Sequence, residues 1–588
     1  MSHSGVLPLL DHVAAAVSEA ISRIRPDAAG ADPVVRRSTH ADFQANAALA
    51  LAKRLQVEPI ELAGEIAVAL RASGTPELAS VQLSGPGFLN LTVSDRSIWN
   101  QVAARLADER LGVSASGRGT RVVIDYSAPN IAKEMHVGHL RTTIIGDSLA
   151  RVLGFLGAEV IRQNHLGDRG TQFGMLIQYL DEHPDAQWRH DDLTGDASSV
   201  SALDGLYKAA RAAFDADPRF ADRSRARVVA LQAGDPATLA RWSEIVAESE
   251  KAFGEIYDRL HVLLTPEDYV GESFYNPMLA ETIDELVGKG IVVDSDGALV
   301  FFSEEVTGPD DQPVPLMVRK RDGGYGYDTT DLATIRYRIN TLAVDRLLYV
   351  TDSRQALHFQ LVFEAARRAG WLTDDIAAEH IAYGTVLGPD GKPFKTRAGG
   401  TVRLLDLLDD AVAKARQVVA EKNPELPSAE LDEIAEQAGI GAVKYADLST
   451  SRVKDYTFDL DRMAALNGNT AVYLQYAHAR IRSILRKADQ PDATVNPELR
   501  LASAERALAL ALDAYGGTVD EVATTLEPHR LCGYLYDLAR DFTTFYDNCP
   551  VLAAEEPTRN NRLALCRLTA RTLRHGLGLL GIAAPERM

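Results

Sequence analysis

Cysteine, tryptophan and methionine are scarce in these 588 residues, at three, four and seven. Three cysteines, at 532, 549 and 566, are an odd number in a long chain, so no disulfide framework and no zinc is implied, and reduced, buried thiols are expected. Long hydrophobic runs are missing too. Nothing approaches the roughly 18 apolar residues of a membrane span, so no membrane partner is expected. The start, Met1-Ser-His-Ser-Gly-Val-Leu7, has no basic n-region and is interrupted by Asp11 and Glu19, which argues against a signal peptide and for a cytoplasmic location. Positive charge is in deficit, 62 Lys and Arg against 82 Asp and Glu, for a net −20. That balance argues against strong non-specific binding to nucleic acid. The deficit is uneven, however. From Gly441 to Met588 the 18 basic and 18 acidic residues cancel, so all the excess acid lies earlier. No repeat or low-complexity tract stands out, and 46% hydrophobic with 24% charged residues is an ordinary globular composition.

What is present is organised. Residues 1 to about 112 mix helical periodicity with a strand-like Gly87-Phe-Leu-Asn-Leu-Thr-Val93, as in a compact α+β module. Ser114 to Gly119 is a small-residue linker. From about 113 to 400 strands and helices alternate, which favours a parallel sheet covered on both faces. An acidic helical stretch at about 181–250 interrupts that alternation and reads as an insertion, and Val292 to Val300 reads as a hairpin. Residues 401–457 are helical, and 458–588 form an all-α bundle.

Two short segments carry chemistry. Arg121-Val-Val-Ile-Asp-Tyr126 reads as a buried parallel strand. Leu140, Ile144, Ile145, Leu149, Val152, Leu153 and Leu156 recur at helical spacing. Between them lies His136-Val-Gly138-His139, two histidines at a helix N-terminus, where free N–H groups and the helix dipole favour an anion. Gly138 is expected to let a base or phosphate approach the backbone. Alone, the pair could equally be ordinary helix-start histidines; no third ligand at a familiar spacing suggests zinc. The second segment follows the strand-like Ile381 to Leu387: Gly388-Pro-Asp-Gly391-Lys392-Pro-Phe-Lys395-Thr396-Arg397, a glycine-rich turn with two lysines three apart. By itself it is as readily a solvated turn.

In this order the two segments resemble the paired signatures of class I aminoacyl-tRNA synthetases, with Lys392 to Thr396 standing for Lys-Met-Ser-Lys-Ser. The longer pattern Ser127-x-x-Asn130-x-x-Lys133-x-x-His136-Val-Gly-His139-x-Arg141 is similar to that of arginyl-tRNA synthetases. So are Asn164-His-Leu-Gly-Asp168, Gly170 to Met175, Tyr473 to Ile481 and the final Ala-Pro-Glu-Arg-Met588. Asp42 to Asn46 and Gly85 to Phe88 resemble that family's extra N-terminal domain. The loop departs from the pattern in Pro393-Phe394 and Thr396, and Arg169 stands where an aromatic is expected.

The resemblance implies a multidomain fold: a Rossmann-like class I catalytic domain, an α+β N-terminal domain reaching the tRNA elbow, and an all-α anticodon-binding bundle. It implies a monomeric arginine–tRNA ligase that takes ATP with magnesium, L-arginine and tRNA(Arg), and whose arginine activation requires bound tRNA. Roles follow residue by residue. His136, His139, Lys133, Lys392 and Lys395 are implied as catalytic, with Gly138 beside them on ATP. Asp125, Ser127, Asn130, Tyr327, Asp331 and Gln355 are implied around arginine. Tyr327 and Asp331, four apart on one helix face, suit a guanidinium, which is always charged and needs fixed acids. Read from the residues alone, that segment is an acidic helix start with capping carboxylates. Tyr473, Gln475, Tyr476, His478 and Arg480 are implied on tRNA, although such a helix is as readily packing. A row of arginines, Arg559, Arg562, Arg567, Arg571 and Arg574, reads as a solvated face before it reads as a nucleic-acid surface.

Overall fold

The strand Arg121–Asp125 is the centre of the main sheet, and its near-continuous Val122-Val-Ile124 explains why: all three are buried, as a strand covered on both faces requires. The computed structural model describes residues 6–189, 199–308, 312–394, 402–488 and 494–588. In the main sheet five parallel strands run in the order Ala377–His380, Arg346–Tyr349, Arg121–Asp125, Glu159–Leu166 and Tyr269–Gly271. In chain order this is 5-4-1-2-3, so the direction of winding reverses between Arg121–Asp125 and Arg346–Tyr349. At such a switch point the flanking connections leave to opposite sides and open a crevice beyond the carboxyl ends of the two strands.

The helix Val137–Phe155 makes the first crossover. Its apolar row Leu140, Ile144, Ile145, Leu149 and Val152 packs inward, but Arg141 and Asp147 are buried as well, because the opposite side meets the C-terminal helices. Arg141 pairs with Asp447 at 3.1 Å and donates to the Lys454 carbonyl. Ser148 donates to the Leu579 carbonyl. Among the described residues the second crossover carries the helices Gln172–Glu182, Ser199–Ala216, Pro218–Gln232 and Pro236–Arg259. Before the fourth strand, Val292–Ser295 and Ala298–Thr307 form a hairpin around Asp296-Gly297. Both turn residues are left-handed (φ 54° and 82°), as a tight two-residue turn demands.

The N-terminal module is a four-stranded antiparallel sheet with helices Leu9–Ile24, Ala47–Leu55, Pro59–Ser73 and Asp95–Ala107. In its strand Phe88–Val93 the alternation is strict: Leu89, Leu91 and Val93 face the core. The C-terminal bundle holds Ala471–Ala488, Ser503–Asp513, Tyr515–Thr525, His529–Asn548 and Thr558–Leu579. The two ends of the chain meet. Arg105 and Asp513, both buried, pair at 2.7 Å, and Arg506 reaches Asp42 and Asp95 at 2.7 Å each. In the arginine row of the last helix, Arg571 joins this stapling and Arg559 and Arg562 are tied within the bundle, whereas Arg574 is exposed. Arg562 pairs with Glu505, Arg571 donates to the carbonyls of Leu106 and Asp108, and Arg559 donates to that of Ala488. All three cysteines are buried and unpaired. Among the described residues no helix is long and apolar enough to cross a membrane.

Candidate active site

A cleft of about 390 Å³ opens at the switch point. It is lined from one side by Ser127, Asn130, His136, Gly138 and His139, and from the other by Thr351, Asp352, Arg354 and Gln355, with Pro393 and Phe394 at its rim. The loop after the first strand is held in an unusual shape. Ser127, Ala128 and Ala132 are all left-handed, with φ of 75°, 47° and 60°. Non-glycine residues keep such angles only where surrounding bonds over-determine them. Here Ser127 N donates to Thr142 Oγ1, Ala128 N to Asn164 Oδ1, and Ala132 N to Ser249 Oγ, at 2.8–3.0 Å. The Ser127 hydroxyl is itself buried against the Tyr257 hydroxyl at 2.7 Å. Asn130 lies over Gly167, where a Cβ would come within 2.4 Å of its Oδ1. The Gly167 of Asn164-His-Leu-Gly-Asp168 thus makes room for the asparagine.

His136 caps the helix. Its Nδ1 accepts from Gly138 N at 3.0 Å, while His139 Nδ1 accepts from His136 N at 3.1 Å. Each ring therefore carries its proton on Nε2, a tautomer assigned from the hydrogen bonds. Burial, then the nearby Lys133 charge, lowers the His136 pKa. Burial, then His136, drives His139 down to about 3. Both rings are neutral donors at pH 7. The N–H groups at this end are taken up, those of His136 and Gly138 by imidazoles and those of Val137 and His139 by carbonyls, so an anion would meet Nε2–H groups. Gly138 also makes room for the histidine: a Cβ there would stand 2.7 Å from the His136 ring.

The lysine loop is tied to this point. A turn closed by Gly388 N to the Lys392 carbonyl, with Gly391 left-handed, leads to Phe394, which stacks on Phe458 at 5.2 Å. Downstream, Val137 N donates to the Val402 carbonyl, Leu404 N to that of Met135, and His136 bridges Arg403. Lys392 is exposed on the turn and does not line the cleft, and Lys395 lies outside the described residues. Lys133 turns away, its ammonium 5.6 Å above the Tyr207 ring.

One turn beyond Gln355, on the helix Ala356–Arg368, His358 meets the helix Tyr327–Asn340. Its Nε2 is 2.6 Å from Asp331 Oδ2, its Nδ1 3.3 Å from Asp328 Oδ1, and its ring 5.2 Å from that of Tyr327. Tyr327 and Asp331 do share a face, and a histidine from outside their segment joins them. Burial opposes charge on His358, but the bonds to Asp328 and Asp331 outweigh it and raise its pKa to about 9. Asp125 is engaged elsewhere: its Oδ2 accepts from the fully buried Arg338 at 2.7 Å, and Arg338 also donates to Gln163. Glu272, which the sequence reading passed over, has its pKa raised by burial, with the charges of His165, Asp168 and Asp331 acting on it. Only its place in space could reveal it. Among the described residues no three His, Cys, Asp or Glu side chains gather into a metal site.

The family description "tRNA synthetases class I (R), catalytic domain" matches residues 101–460. This chain belongs to the arginyl-tRNA synthetase family. The synthetase's residues 11–93 match "Arginyl tRNA synthetase N terminal domain", and 474–588 match "DALR anticodon binding domain". It is 70% identical to an arginine–tRNA ligase of Frankia casuarinae and 55% to one of Streptomyces coelicolor, each aligned over 100% of both chains. Its fold is similar to the solved arginyl-tRNA synthetases of Plasmodium falciparum (TM-score 0.83, 29% identity) and Thermus thermophilus (TM-score 0.81, 27% identity). In both comparisons the match covers 99% of this chain and 100% of the other.

In this synthetase the helix Ala471–Ala488 divides the five residues expected on tRNA. Tyr476 is exposed, and Tyr473 and Arg480 are partly so. Gln475 and His478 are corrections. Gln475 is fully buried and donates to the carbonyls of Gln437 and Ala583. The buried His478 ring nitrogen meets the Pro585 carbonyl at 2.9 Å. Both fasten the chain's last residues and present nothing to a partner. The exposed side gains side chains that sequence reasoning missed, all on His529–Asn548: Tyr536 edge-on to Tyr473 at 5.8 Å, Arg540 over Tyr536, and Tyr546 under Arg480 at 4.4 Å.

Proposed function

We propose that this chain is an arginine–tRNA ligase, joining L-arginine to the terminal ribose of tRNA(Arg) at the expense of ATP. The observation that carries the mechanism is the pair of neutral Nε2–H donors at the switch-point cleft. The arginine carboxylate is already a nucleophile, so little acid–base chemistry is needed. It attacks the α-phosphorus, pyrophosphate leaves, and the ribose hydroxyl then takes the arginyl group and releases AMP. Rate comes from positioning and from donors aimed at charge growing on the phosphates. His136 and His139 serve that purpose, with Lys395, and Lys392 from its exposed turn, as cations of the same loop. Lys133, held over Tyr207, contributes field rather than contact. Magnesium is taken with ATP as its phosphate complex.

Asn130 and Gln355, at the cleft, hold the α-amino end. Asp331 and Tyr327 take the guanidinium, with Glu272 as a further acid. Ser127 acts by holding the loop, and Asp125 acts through Arg338. Tyr473, Tyr476 and Arg480, with Tyr536, Arg540 and Tyr546, offer rings and guanidinium planes on which unstacked anticodon bases can lie. Arginine-dependent ATP–pyrophosphate exchange tests this reading, run over the twenty amino acids with and without tRNA. Exchange with arginine alone among them, and only with tRNA present, is expected. Exchange without tRNA would remove the coupling, and none under either condition would remove the enzyme.

A further inference from the structure

We propose that arginine enters this site by cation exchange: His358 holds the Asp331 carboxylate as an imidazolium, and the substrate guanidinium takes its place while the ring's proton leaves to solvent. The inference rests on the reading of Asp331 as the guanidinium acid and adds what that acid is doing beforehand.

The geometry makes sharing difficult. A guanidinium binds a carboxylate best as a two-pronged fork that uses both oxygens. Asp331 Oδ2 is already in a 2.6 Å bond to His358 Nε2. Imidazolium and guanidinium are both flat cations with N–H donors at their edges, so one can stand where the other stood without changing the charge beside Asp328 and Asp331. Until then the ring keeps two acids, three residues apart on one helix, fixed and compensated.

The groups facing His358 settle where the proton goes. From the helix Tyr327–Asn340 they are Tyr327, Asp328 and Asp331; from the strand Ala377–His380 it is His380, itself pushed down by burial. Only the two aspartates favour charge on the ring, against the cost of its burial. Exchange removes the shorter of those two bonds and brings a permanent cation alongside. The ring, then held up by Asp328 alone against burial and that repulsion, loses its proton near pH 8.

The test is calorimetric titration of L-arginine into the full-length enzyme near pH 8, in two buffers of different ionisation enthalpy, with and without tRNA. Wild type should release close to one proton per arginine, falling away above about pH 9 as the free ring deprotonates unaided. His358→Gln should bind arginine with no release. Wild-type binding without proton release, or the same release from His358→Gln, overturns the exchange. Asp331→Asn separates the two readings: if it abolishes binding while wild type releases no proton, Asp331 keeps its role and the exchange fails. If it binds arginine undiminished, both fail. The wild-type proton count against pH needs no variant, so a poorly folding His358→Gln leaves the proposal open to refutation.

Discussion

The helices that follow the two switch-point strands treat histidine in opposite ways. At the helix start, His136 and His139 are desolvated, with each other and Lys133 nearby and main-chain N–H groups as hydrogen-bond partners, so they are held neutral. One turn past Gln355, His358 is also largely buried, yet two carboxylates hold it charged. Burial is common to both, and the partner decides the sign. Each state suits its neighbour. A neutral Nε2–H can donate to a polyphosphate without titrating near pH 7, while a charged ring keeps an acid pair ready for a cation.

The contrast can be broken at several points. Asp331→Ala leaves His358 without its main partner and the guanidinium without its acid. It should lower kcat/KM for arginine by about 10²-fold or more, as expected for roughly 3–5 kcal/mol from a broken buried pair. An arginine dependence like that of wild type would remove Asp331 from the site. His139→Ala removes one neutral donor and should lower kcat for pyrophosphate exchange by about 10²-fold with the KM for arginine little changed. A change confined to KM would mean the ring binds the ground state only.

A third histidine sharpens the comparison. His478 is neutral and buried against a main-chain carbonyl, so His478→Ala should lower the melting temperature and leave the KM for tRNA close to wild type. Its exposed neighbour Tyr476→Ala should do the reverse, raising that KM by about tenfold for one lost stacking platform. The smallest effect concerns stability against pH. The folded state raises the His358 pKa, so its contribution is full below about pH 6.5 and is lost as pH rises through about 9. The stability gap between wild type and His358→Gln should therefore close over that window in denaturant titrations; a constant gap would place the ring's effect in packing.

The same contrast separates what the sequence discloses from what it hides. The strand Arg121–Asp125, the helix Val137–Phe155 and the turn at Asp296-Gly297 are legible because their causes are local: burial runs, helical spacing and residues tolerant of positive φ. His136 and His139 are legible for the same reason, since each caps the other's turn. His358 lies 27 residues from Asp331, and nothing in either segment names the other. Gln475 and His478 look like their exposed neighbours on a helix rich in polar rings. Their partners, Ala583 and Pro585, are more than 100 residues away, so the face they occupy is set by the end of the chain. Asp125 is plain as an acid at a strand end, whereas its arginine, Arg338, is 213 residues distant.

The pairing of Arg105 with Asp513 has a consequence for how this molecule is made. The two residues are 408 positions apart, and both are buried in the finished fold. A ribosome adding about 5–20 residues per second needs on the order of 20–80 s to cover that distance. Throughout that interval the N-terminal module is complete in sequence but lacks the carboxylate that balances its inward guanidinium, as well as the helices that cover it. Vectorial synthesis thus leaves the first domain waiting for the last. A chain truncated before residue 513 would expose an orphaned charge on the first-made part of the enzyme, marking it for chaperones and proteases.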